Sequence, residues 1–405
     1  MTSETVLFGA ALGLQSPWMV TEVKFDPALK ELHLHLGFAR GSAFLCPVCG
    51  SSCKAYDSEA RVWRHLNFFE HESYLHANLP RVKCSSCGVK VAEVPWARPG
   101  SGFTLLFEAM ILTLCKHMPV FAVARIVGEH DTRLWRVLTH YVELARREVD
   151  MSGVREIGVD ETSRQSGHEY VTLFADMMQR RVLFVTEGKD AQTIAAFSDD
   201  LRRHGGTAEQ IEKVCMDMSV AFQSGVATEL PNAEMIFDRF HVVKLANDAV
   251  DTIRRQEVKT NEALKETRYL WLSNPEKLPD TKKQKLATLQ SMNSATATAY
   301  QMKLNLQELW TLPDRLTASA HLDAWYDWVS GSGIGAAMKR LANTVKSHAS
   351  GILNYFPSRL TSGLMEGINS LVQAAKSKAR GYRNSNNLKT IIYLLLGDLR
   401  FPLPT

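Results

Sequence analysis

The chain has 405 residues, and at roughly 150 residues per domain this length predicts two to four domains. An apolar fraction of 45% and a charged fraction of 22% are typical of globular proteins and exclude disordered, collagen-like and coiled-coil classes. The net charge of +4 is unevenly distributed, being +1 over residues 1–150, −6 over 151–250 and +9 over 251–405. An acidic middle followed by a basic last third suits cation binding beside polyanion binding.

The N-terminal segment carries acidic Glu4 where a signal peptide requires basic residues. Nowhere does the sequence hold the ~18 consecutive apolar residues of a membrane-spanning helix. Seven cysteines, four of them in two Cys-x-x-Cys pairs, fit a reducing compartment and metal ligation better than a disulfide framework. We therefore predict a cytoplasmic protein that does not associate with membranes.

Two Cys-x-x-Cys pairs follow an alternating, strand-like run at residues 32–36. Two thiolate pairs on tight turns supply the four soft ligands that a structural Zn²⁺ ion requires. The predicted zinc ligands are Cys46, Cys49, Cys84 and Cys87. Cys53 is a rival ligand or a free thiol. Cys115 and Cys215 lie in apolar runs, so they are predicted to be core residues.

Residues 103–148 have the pattern of short helices, a polar break near Glu129 and a longer helix, which is typical of a helix-turn-helix. In this interpretation Arg133 and Arg136 lie on one face of the second helix and contact DNA in the major groove. The alternative interpretation is a helical spacer between domains.

From residue 155 three strand-like runs precede alternating helix-like and strand-like runs, which predicts a mixed α/β sheet. The run from about 242 to 350 lacks strand alternation and is predicted to be a helical insertion. Its aromatic residues, among them Trp310, Trp325 and Trp328, are expected to pack between helices; stacking on a flipped base is the less favoured interpretation.

Asp160 closes the apolar run 157–159 and Asp217 closes the run 214–216, so both carboxylates are predicted on strands of one sheet. Glu366, at the start of a predicted helix, is the candidate third acid. Three carboxylates can hold two divalent cations that stabilise an in-line phosphoryl displacement. Mg²⁺ suits such a site because it prefers oxygen ligands.

Two further acids compete for this role. Glu161 adjoins Asp160 but is predicted to point to the opposite face of the strand. Asp238 ends another strand-like run, and its alternative role is to support the site or to contact DNA.

The predicted helix at Glu366 carries a polar stripe at helical spacing that continues through Gln373 to Arg380. Five basic residues and no acid lie between residues 371 and 390. We predict that this helix holds a carboxylate to the metal and contacts phosphates with its cations; a solvated basic helix is the alternative. The predicted DNA contacts are Arg133, Arg136, Arg239, His241, Asn369, Lys376, Lys378, Arg380 and Arg383.

The order of these parts resembles the bacterial insertion-sequence transposases of the ISL3 family, which are DDE enzymes with a ribonuclease-H-like core. The resemblance rests on the cysteine knuckles, the helix-turn-helix region and residues 157–161, 216–219, 238–241 and 366–382. It implies a catalytic triad of Asp160, Asp217 and Glu366 that binds two Mg²⁺ ions, for which Mn²⁺ can substitute. The 148 residues between the second and third acids match the family's helical insertion.

The resemblance further implies metal-dependent hydrolysis that frees 3′-hydroxyl ends and transfers them into target DNA. The expected partners are double-stranded DNA, at the element's terminal inverted repeats and in the target, and further copies of the chain in a homodimer or higher synaptic assembly. Bound to DNA, the protein is expected at the bacterial nucleoid. The alternatives are a sequence-specific DNA-binding regulator and a structure-selective nuclease on the same fold.

The predicted fold class is multidomain α/β, with a zinc ribbon and a helix-turn-helix before a ribonuclease-H-like mixed-sheet core that an all-helical insertion interrupts. The predicted boundaries are 1–98 for the N-terminal strands and zinc ribbon, 99–150 for the helix-turn-helix, 151–245 for the first part of the catalytic core, 246–355 for the insertion and 356–405 for the second part of the core with the third acid.

Overall fold

A computed structural model describes residues 2–165, 169–292 and 294–402 of the chain. It divides into two compact units, the first formed by residues up to 145 with those from 400 onward and the second by residues 146–399. The five predicted domain boundaries remain predictions. Four parts of the predicted domains lie outside the described residues. They are residue 1, residues 403–405, residue 293 of the predicted insertion, and residues 166–168, which include the start of the second predicted strand of the core.

The first unit is built on a six-stranded sheet in the order β1-β2-β5-β4-β3, with β6 paired to β5. Its elements are α1 (Ser3–Ala11), β1 (Trp18–Asp26), β2 (Glu31–Phe38), β3 (Ala43–Leu45), β4 (Ser52–Phe68), β5 (His71–Cys84) and β6 (Gly88–Val91). Leu32, Leu34 and Leu36 are buried along β2, which confirms the alternation read from the sequence. Trp96 packs edge-on against Trp18, with ring centroids 4.8 Å apart, so one face of the sheet carries an aromatic core.

Three helices follow in the same unit, α2 (Leu105–Cys115), α3 (Val120–Val127) and α4, which begins at Asp131 and runs to Arg147 across the boundary between the units. Gly128 ends α3 in the left-handed conformation. Leu134, Val137 and Tyr141 of α4 are buried at helical spacing. The predicted succession of short helix, turn and longer helix is therefore present.

The second unit contains a five-stranded mixed sheet in the order β11-β10-β7-β8-β9. Its strands are β7 (Glu156–Gln165), β8 (Glu169–Asp176), β9 (Arg181–Glu187), β10 (Lys213–Met216) and β11 (Glu234–Phe237). Neighbours among β7, β8 and β9 are antiparallel, whereas β10 runs parallel to both β7 and β11. The mixed α/β sheet predicted from the sequence is confirmed, and its parallel part brings three strand ends to one edge.

Helices make up the rest of the second unit. They are α5 (Ala191–Arg203), α6 (Val220–Glu229), α7 (Arg239–Glu257), α8 (Arg268–Leu272), α9 (Asp280–Gln290), α10 (Ala295–Glu308), α11 (Arg315–Gly331), α12 (Ala336–Ser347), α13 (Ala349–Leu353), α14 (Tyr355–Ser358), α15 (Gly363–Lys378) and α16 (Ser385–Leu396). Short 3₁₀ turns lie at Ala208–Gln210, Glu262–Leu264, Pro275–Lys277 and Leu309–Thr311. No helix among the described residues is long and apolar enough to cross a membrane.

The helices between α7 and α14 enclose a core of large side chains. Trp271, Tyr300 and Trp325 are almost fully buried, and the Trp325 indole donates to the Met302 carbonyl at 2.8 Å. Lys303 is buried among them and donates to the Trp271 carbonyl at 2.8 Å, and burial lowers its pKa to about 8. The expectation that aromatic residues here pack between helices holds for Trp325 but is wrong for Trp328, which is exposed.

Two glycines test how tightly these helices pack. A Cβ at Gly351 in α13 would lie 2.5 Å from the ring of Phe237 on β11, whereas a Cβ at Gly367 in α15 would meet nothing within 4 Å.

We expect Gly351→Ala to lower the free energy of unfolding by about 1–3 kcal/mol through overpacking. Gly367→Ala should raise it by about 0.5–1 kcal/mol through helix propensity. Urea denaturation of both variants measures this, and a neutral Gly351→Ala would contradict the packing.

Candidate active site and metal centre

Four cysteines of the first unit converge at the end of its sheet. Cys46 and Cys49 follow β3, Cys84 ends β5, and Cys87 precedes β6. Their Sγ atoms all lie within 4.8 Å of one another, with Cys49 and Cys84 separated by 3.5 Å. Four sulfurs at such distances fit the tetrahedral shell of Zn²⁺, whose bonds to sulfur are about 2.3 Å long. The predicted ligands are thus brought together.

The other three cysteines lie outside this group. Cys53 is half-buried, and its Sγ donates to the Ser51 carbonyl at 3.5 Å. Cys115 and Cys215 are buried, and burial raises the pKa of each thiol to about 12. Thiols held protonated in apolar surroundings are structural, in keeping with the core positions predicted for both.

Three aspartates lie at one edge of the second sheet. Asp160 lies within β7, Asp217 directly follows β10, and Asp238 directly follows β11. Gly158 pairs with Cys215, and Met216 pairs with Phe237, so the register places the three aspartates side by side. Because β7, β10 and β11 are parallel, their carboxyl ends meet at this edge.

The carboxylates at this edge influence one another's pKa values. Burial raises the pKa of Asp160 to about 6, and the negative charges of Asp217 and Asp238 add to the rise. The Glu161 backbone N–H, which donates to Asp160 Oδ1 at 2.8 Å, and the charge of His241 act in the opposite direction. Asp217 accepts from the Ser219 backbone N–H at 2.9 Å.

Asp238 is the best-connected acid of the site. Burial alone would raise its pKa, but hydrogen bonds from His241, from the Ser362 hydroxyl and from the Phe240 backbone N–H lower it below the ordinary value. Its Oδ2 lies 2.9 Å from His241 Nδ1. That contact raises the pKa of His241, as do the charges of Asp217 and Asp160. The contact with Asp238 and the two further carboxylates thus favour the protonated form of His241.

Helix α15 packs along β7 and carries the predicted polar stripe. Asn369 Nδ2 donates to Asp160 Oδ2 at 2.6 Å, and Gln373 Nε2 donates to Thr162 Oγ1 at 2.6 Å. Lys376 Nζ donates to the Ser163 carbonyl. The stripe therefore faces β7, but α15 ends at Lys378, so its predicted continuation to Arg380 is wrong. Arg380 has a left-handed backbone beyond the helix.

A glycine allows this close approach. A Cβ at Gly158 would lie 2.7 Å from the sulfur of Met177 and 2.7 Å from that of Met365, the buried residue that precedes Glu366. A side chain at Gly158 would therefore require both methionines to shift. Because Met365 is adjacent to Glu366 on α15, the glycine permits the close packing of the start of this helix on β7.

Glu366 is exposed in the first turn of α15, and its Oε1 lies 3.2 Å from Ser362 Oγ, which also donates to Asp238. Among the described residues, the cysteine cluster is the only group of three or more His, Cys, Asp or Glu ligand atoms found within 4.8 Å of one another. Asp160, Asp217 and Glu366 therefore do not form a group of such close spacing, and Glu366 approaches the aspartates at the Ser362 contact with Asp238.

The oxygen ligands available at this edge suit a hard cation. Its ligands are carboxylate oxygens, and the side-chain oxygen of Asn369 is buried without a hydrogen-bond partner among the described residues. Buried polar atoms are rarely left unpaired, so the unpaired Asn369 oxygen beside Asp160 is available to a cation. Mg²⁺ prefers oxygen ligands of this kind.

The residues predicted to contact DNA have different surroundings. The Arg133 guanidinium stacks 4.1 Å above the Phe103 ring and pairs with Glu129, so much of its binding capacity is used within the first unit. Arg136 is exposed on the same helix. In the second unit His241 pairs with Asp238, as described above. Four of the residues predicted to contact DNA from the second unit are exposed: Arg239, Lys378, Arg380 and Arg383.

Sequence reasoning missed Ser362, which touches both Asp238 and Glu366. Its position just before the predicted helix is the one available signal, because serine commonly precedes helices. It also missed Thr162 and Ser163, which anchor α15; nothing distinguishes them in the sequence from other polar strand residues.

Comparison with known proteins adds three family matches. A family described as a transposase matches residues 157–392, more than half of the chain. The helix-turn-helix domain of transposase family ISL3 matches residues 92–142, and the zinc-finger of transposase IS204/IS1001/IS1096/IS1165 matches residues 42–87. These matches confirm the zinc ribbon and the helix-turn-helix, and together with the cysteine cluster they support structural Zn²⁺.

Two curated relatives extend along most of the chain. The transposase for insertion sequence element IS1001 of Bordetella parapertussis is 29% identical over 352 residues, which cover 84% of this chain and 86% of that protein. The transposase for insertion sequence element IS1557 of Mycobacterium tuberculosis is 28% identical, covering 98% of this chain and 97% of that protein.

The cysteine cluster can be tested by its metal content. We expect the purified protein to carry one zinc ion per chain, and Cys84→Ser to lose it and to lower the melting temperature, because structural zinc contributes directly to folding. Cys53→Ser is the matched control and should retain both zinc and stability. Elemental analysis by mass spectrometry with thermal unfolding decides. Full zinc retention by Cys84→Ser, or its loss in Cys53→Ser, would contradict the assigned ligands.

Proposed function

The chain belongs to the ISL3 family of transposases, and from this premise we propose that it is a DDE enzyme that catalyses Mg²⁺-dependent DNA cleavage and strand transfer. Its triad would be Asp160, Asp217 and Glu366. The observation that carries the proposal is the hydrogen bond between Asn369 and Asp160, because it ties the helix bearing the third acid to the strand bearing the first.

The three triad carboxylates would hold two Mg²⁺ ions, or Mn²⁺ in their place, which stabilise the attacking and leaving oxygens of an in-line phosphoryl displacement. Asn369 orients the Asp160 carboxylate by donating to Oδ2, and the Glu161 backbone N–H donates to Oδ1, so both oxygens are held in place while each keeps a lone pair for a metal. Ser362 donates its single hydroxyl proton to Asp238 and lies 3.2 Å from Glu366 Oε1, so the residue that precedes α15 is held at the sheet edge.

His241 contributes a positive charge. Because its contact with Asp238 raises its pKa, the imidazole stays protonated to higher pH than a free histidine. A cation beside two carboxylates reduces their mutual repulsion in the absence of metal. We propose that His241 positions the acids and faces the phosphate of bound DNA.

We also infer a ribonuclease-H-like core. One support is the sheet topology: β7, β8 and β9 are antiparallel, and β10 and β11 lie on the other side of β7 and run parallel to it. A second is the position of the aspartates at one edge of this sheet. The insertion between Asp238 and Glu366 is helical throughout its described part.

For DNA binding we propose the helix-turn-helix, with exposed Arg136, as the reader of the terminal inverted repeats. The exposed cations Arg239, Lys378, Arg380 and Arg383 would contact phosphates near the active site. Lys376 serves chiefly to position α15, because its ammonium group is engaged by the Ser163 carbonyl. A homodimer or higher assembly in the bacterial cytoplasm would bring two ends together.

The first test is cleavage and joining of labelled DNA that carries the element's ends, in Mg²⁺ and in EDTA. We expect Asp217→Asn to reduce both reactions by roughly 100-fold or more, because transition-state charge loses its metal ligand. Asp199→Asn is the matched control, since Asp199 is exposed on α5, and should leave both rates unchanged.

The outcomes separate the possible functions. Binding without cleavage under every condition would place the protein among DNA-binding regulators. Cleavage without joining would identify a nuclease. Cleavage that persists in EDTA would contradict the three-carboxylate mechanism.

The second test uses the cost of burying Asp160. Its pKa rises from 3.8 to about 6 on folding, so its ionisation destabilises the fold progressively between these values and fully above pH 6. In EDTA we expect Asp160→Asn to raise the free energy of unfolding by up to about 3 kcal/mol at pH 8, and by progressively less towards pH 4. Urea denaturation across this pH range measures it. A gain in the free energy of unfolding that does not depend on pH, or an equal gain in Asp199→Asn, would contradict the cost assigned to ionised Asp160.

A further inference from the structure

A cavity of about 610 Å³ adjoins the proposed active site. One wall is the start of α7, a second is formed by residues 272–277 with Trp310, and a third is the start of α15. Asp238 and Glu366 line it, so the space is continuous with the acids. A cavity of this volume suits one small molecule or one nucleotide, and it cannot admit a DNA duplex.

Two polar atoms indicate the chemistry of the occupant. Trp310 Nε1, a donor, and Asn247 Oδ1, an acceptor, are buried without hydrogen-bond partners in the described part of the chain, and both residues line the cavity. An unsatisfied buried polar atom costs about 1–3 kcal/mol. Both atoms have almost no accessible surface, so each side chain must turn towards the cavity before a ligand bearing an acceptor and a donor can relieve this cost. A phosphate offers only acceptors, whereas the edge of a nucleobase offers both.

An aromatic ring and two cations of the cavity also fit a nucleotide. Phe240 lines the cavity with 54% of its surface exposed, although a large apolar ring is ordinarily buried. Exposed rings beside a groove provide stacking platforms for unpaired bases. Arg239 and Lys277 are exposed on two walls, where they can neutralise the phosphate attached to the base.

The sequence alone favoured packing for all the aromatic residues of the insertion. The structure separates them: Trp325 satisfies its indole within the core, whereas Trp310 does not and lies at the cavity. Trp310 itself is 6% exposed, so most of its ring is packed and only part of it contributes to the cavity wall.

Resting on the function proposed above, we propose that this cavity receives one nucleotide extruded from the DNA duplex next to the cleaved phosphodiester. Its base stacks on Phe240 and hydrogen-bonds with Trp310 and Asn247, and its phosphate faces Arg239. Extrusion breaks stacking and pairing, and the contacts in the cavity compensate for that loss. The scissile phosphate is thereby held beside Glu366 while the duplex stays outside.

The test uses the full chain and duplexes that carry the element's ends with 2-aminopurine at successive positions within three nucleotides of the cleavage point. In the Asp217→Asn background, which binds DNA without cutting it, we expect the fluorescence to rise severalfold at one position. Adding Phe240→Ala should abolish this rise. Trp310→Phe, which keeps a buried ring but lacks the donor N–H, should weaken it.

Cleavage gives a second readout with otherwise wild-type protein. Phe240→Ala should slow cleavage of fully paired DNA by about tenfold or more, as expected for the loss of one stacked base. An unpaired nucleotide at the fluorescent position should restore most of the rate, because such a base is already extruded. Phe240→Tyr should behave like the wild type. Tyr269→Ala, which removes an exposed aromatic residue of the same helical segment outside the cavity, should change neither readout.

Each proposal fails in its own way. Cleavage without a fluorescence rise at any position, or equal slowing of paired and unpaired substrates by Phe240→Ala, would overturn the cavity assignment and leave the transposase mechanism standing. A fluorescence rise that Phe240→Ala abolishes, in a protein that never cleaves, would overturn the mechanism and leave the nucleotide site standing.

Discussion

Burial of a carboxylate at one sheet edge is the constraint on which the active site of the second unit depends. Asp160 on β7 lies beside Asp217 and Asp238, which directly follow β10 and β11, and burial of Asp160 makes its charge costly. The cost is offset by the backbone N–H of the adjacent Glu161 and, from elsewhere in the chain, by the charge of His241 on α7, while Asn369 on α15 donates to the same carboxylate. The positions of both helices are therefore coupled to the charge at this edge, and through α15 to the third acid.

This coupling explains why the site tolerates an unfavourable arrangement. A core built only for stability would carry amides or apolar residues where Asp160 lies, since an ionised buried carboxyl weakens the fold. The chain instead provides donors that hold the acids without neutralising them. On the proposed mechanism, stability is lost at the place where a bound cation and the phosphate of DNA would interact with the charge.

The sequence was most informative where the signal is local. Cysteine spacing, the alternation in β2 and the aspartates at strand ends depend on neighbouring residues, so all three could be read directly. Contacts between distant segments could not: Ser362 joins Asp238 across 124 residues, and the cavity at Trp310 exists only once α7, α10 and α15 have packed. Arg133 illustrates the same limit, because its pairing with Glu129 and its stacking on Phe103 are tertiary facts.

The wide separation of the acids along the chain has a consequence for synthesis. A ribosome makes Asp160, Asp217 and Asp238 early and adds α15 only after the whole helical segment between them, and closing so long a loop is slow. On the proposed mechanism, the emerging chain is able to fold its zinc ribbon and its helix-turn-helix while it still lacks the third carboxylate. A prematurely terminated product would thus occupy the element's ends without cutting them, and would act as a competitor of the intact enzyme.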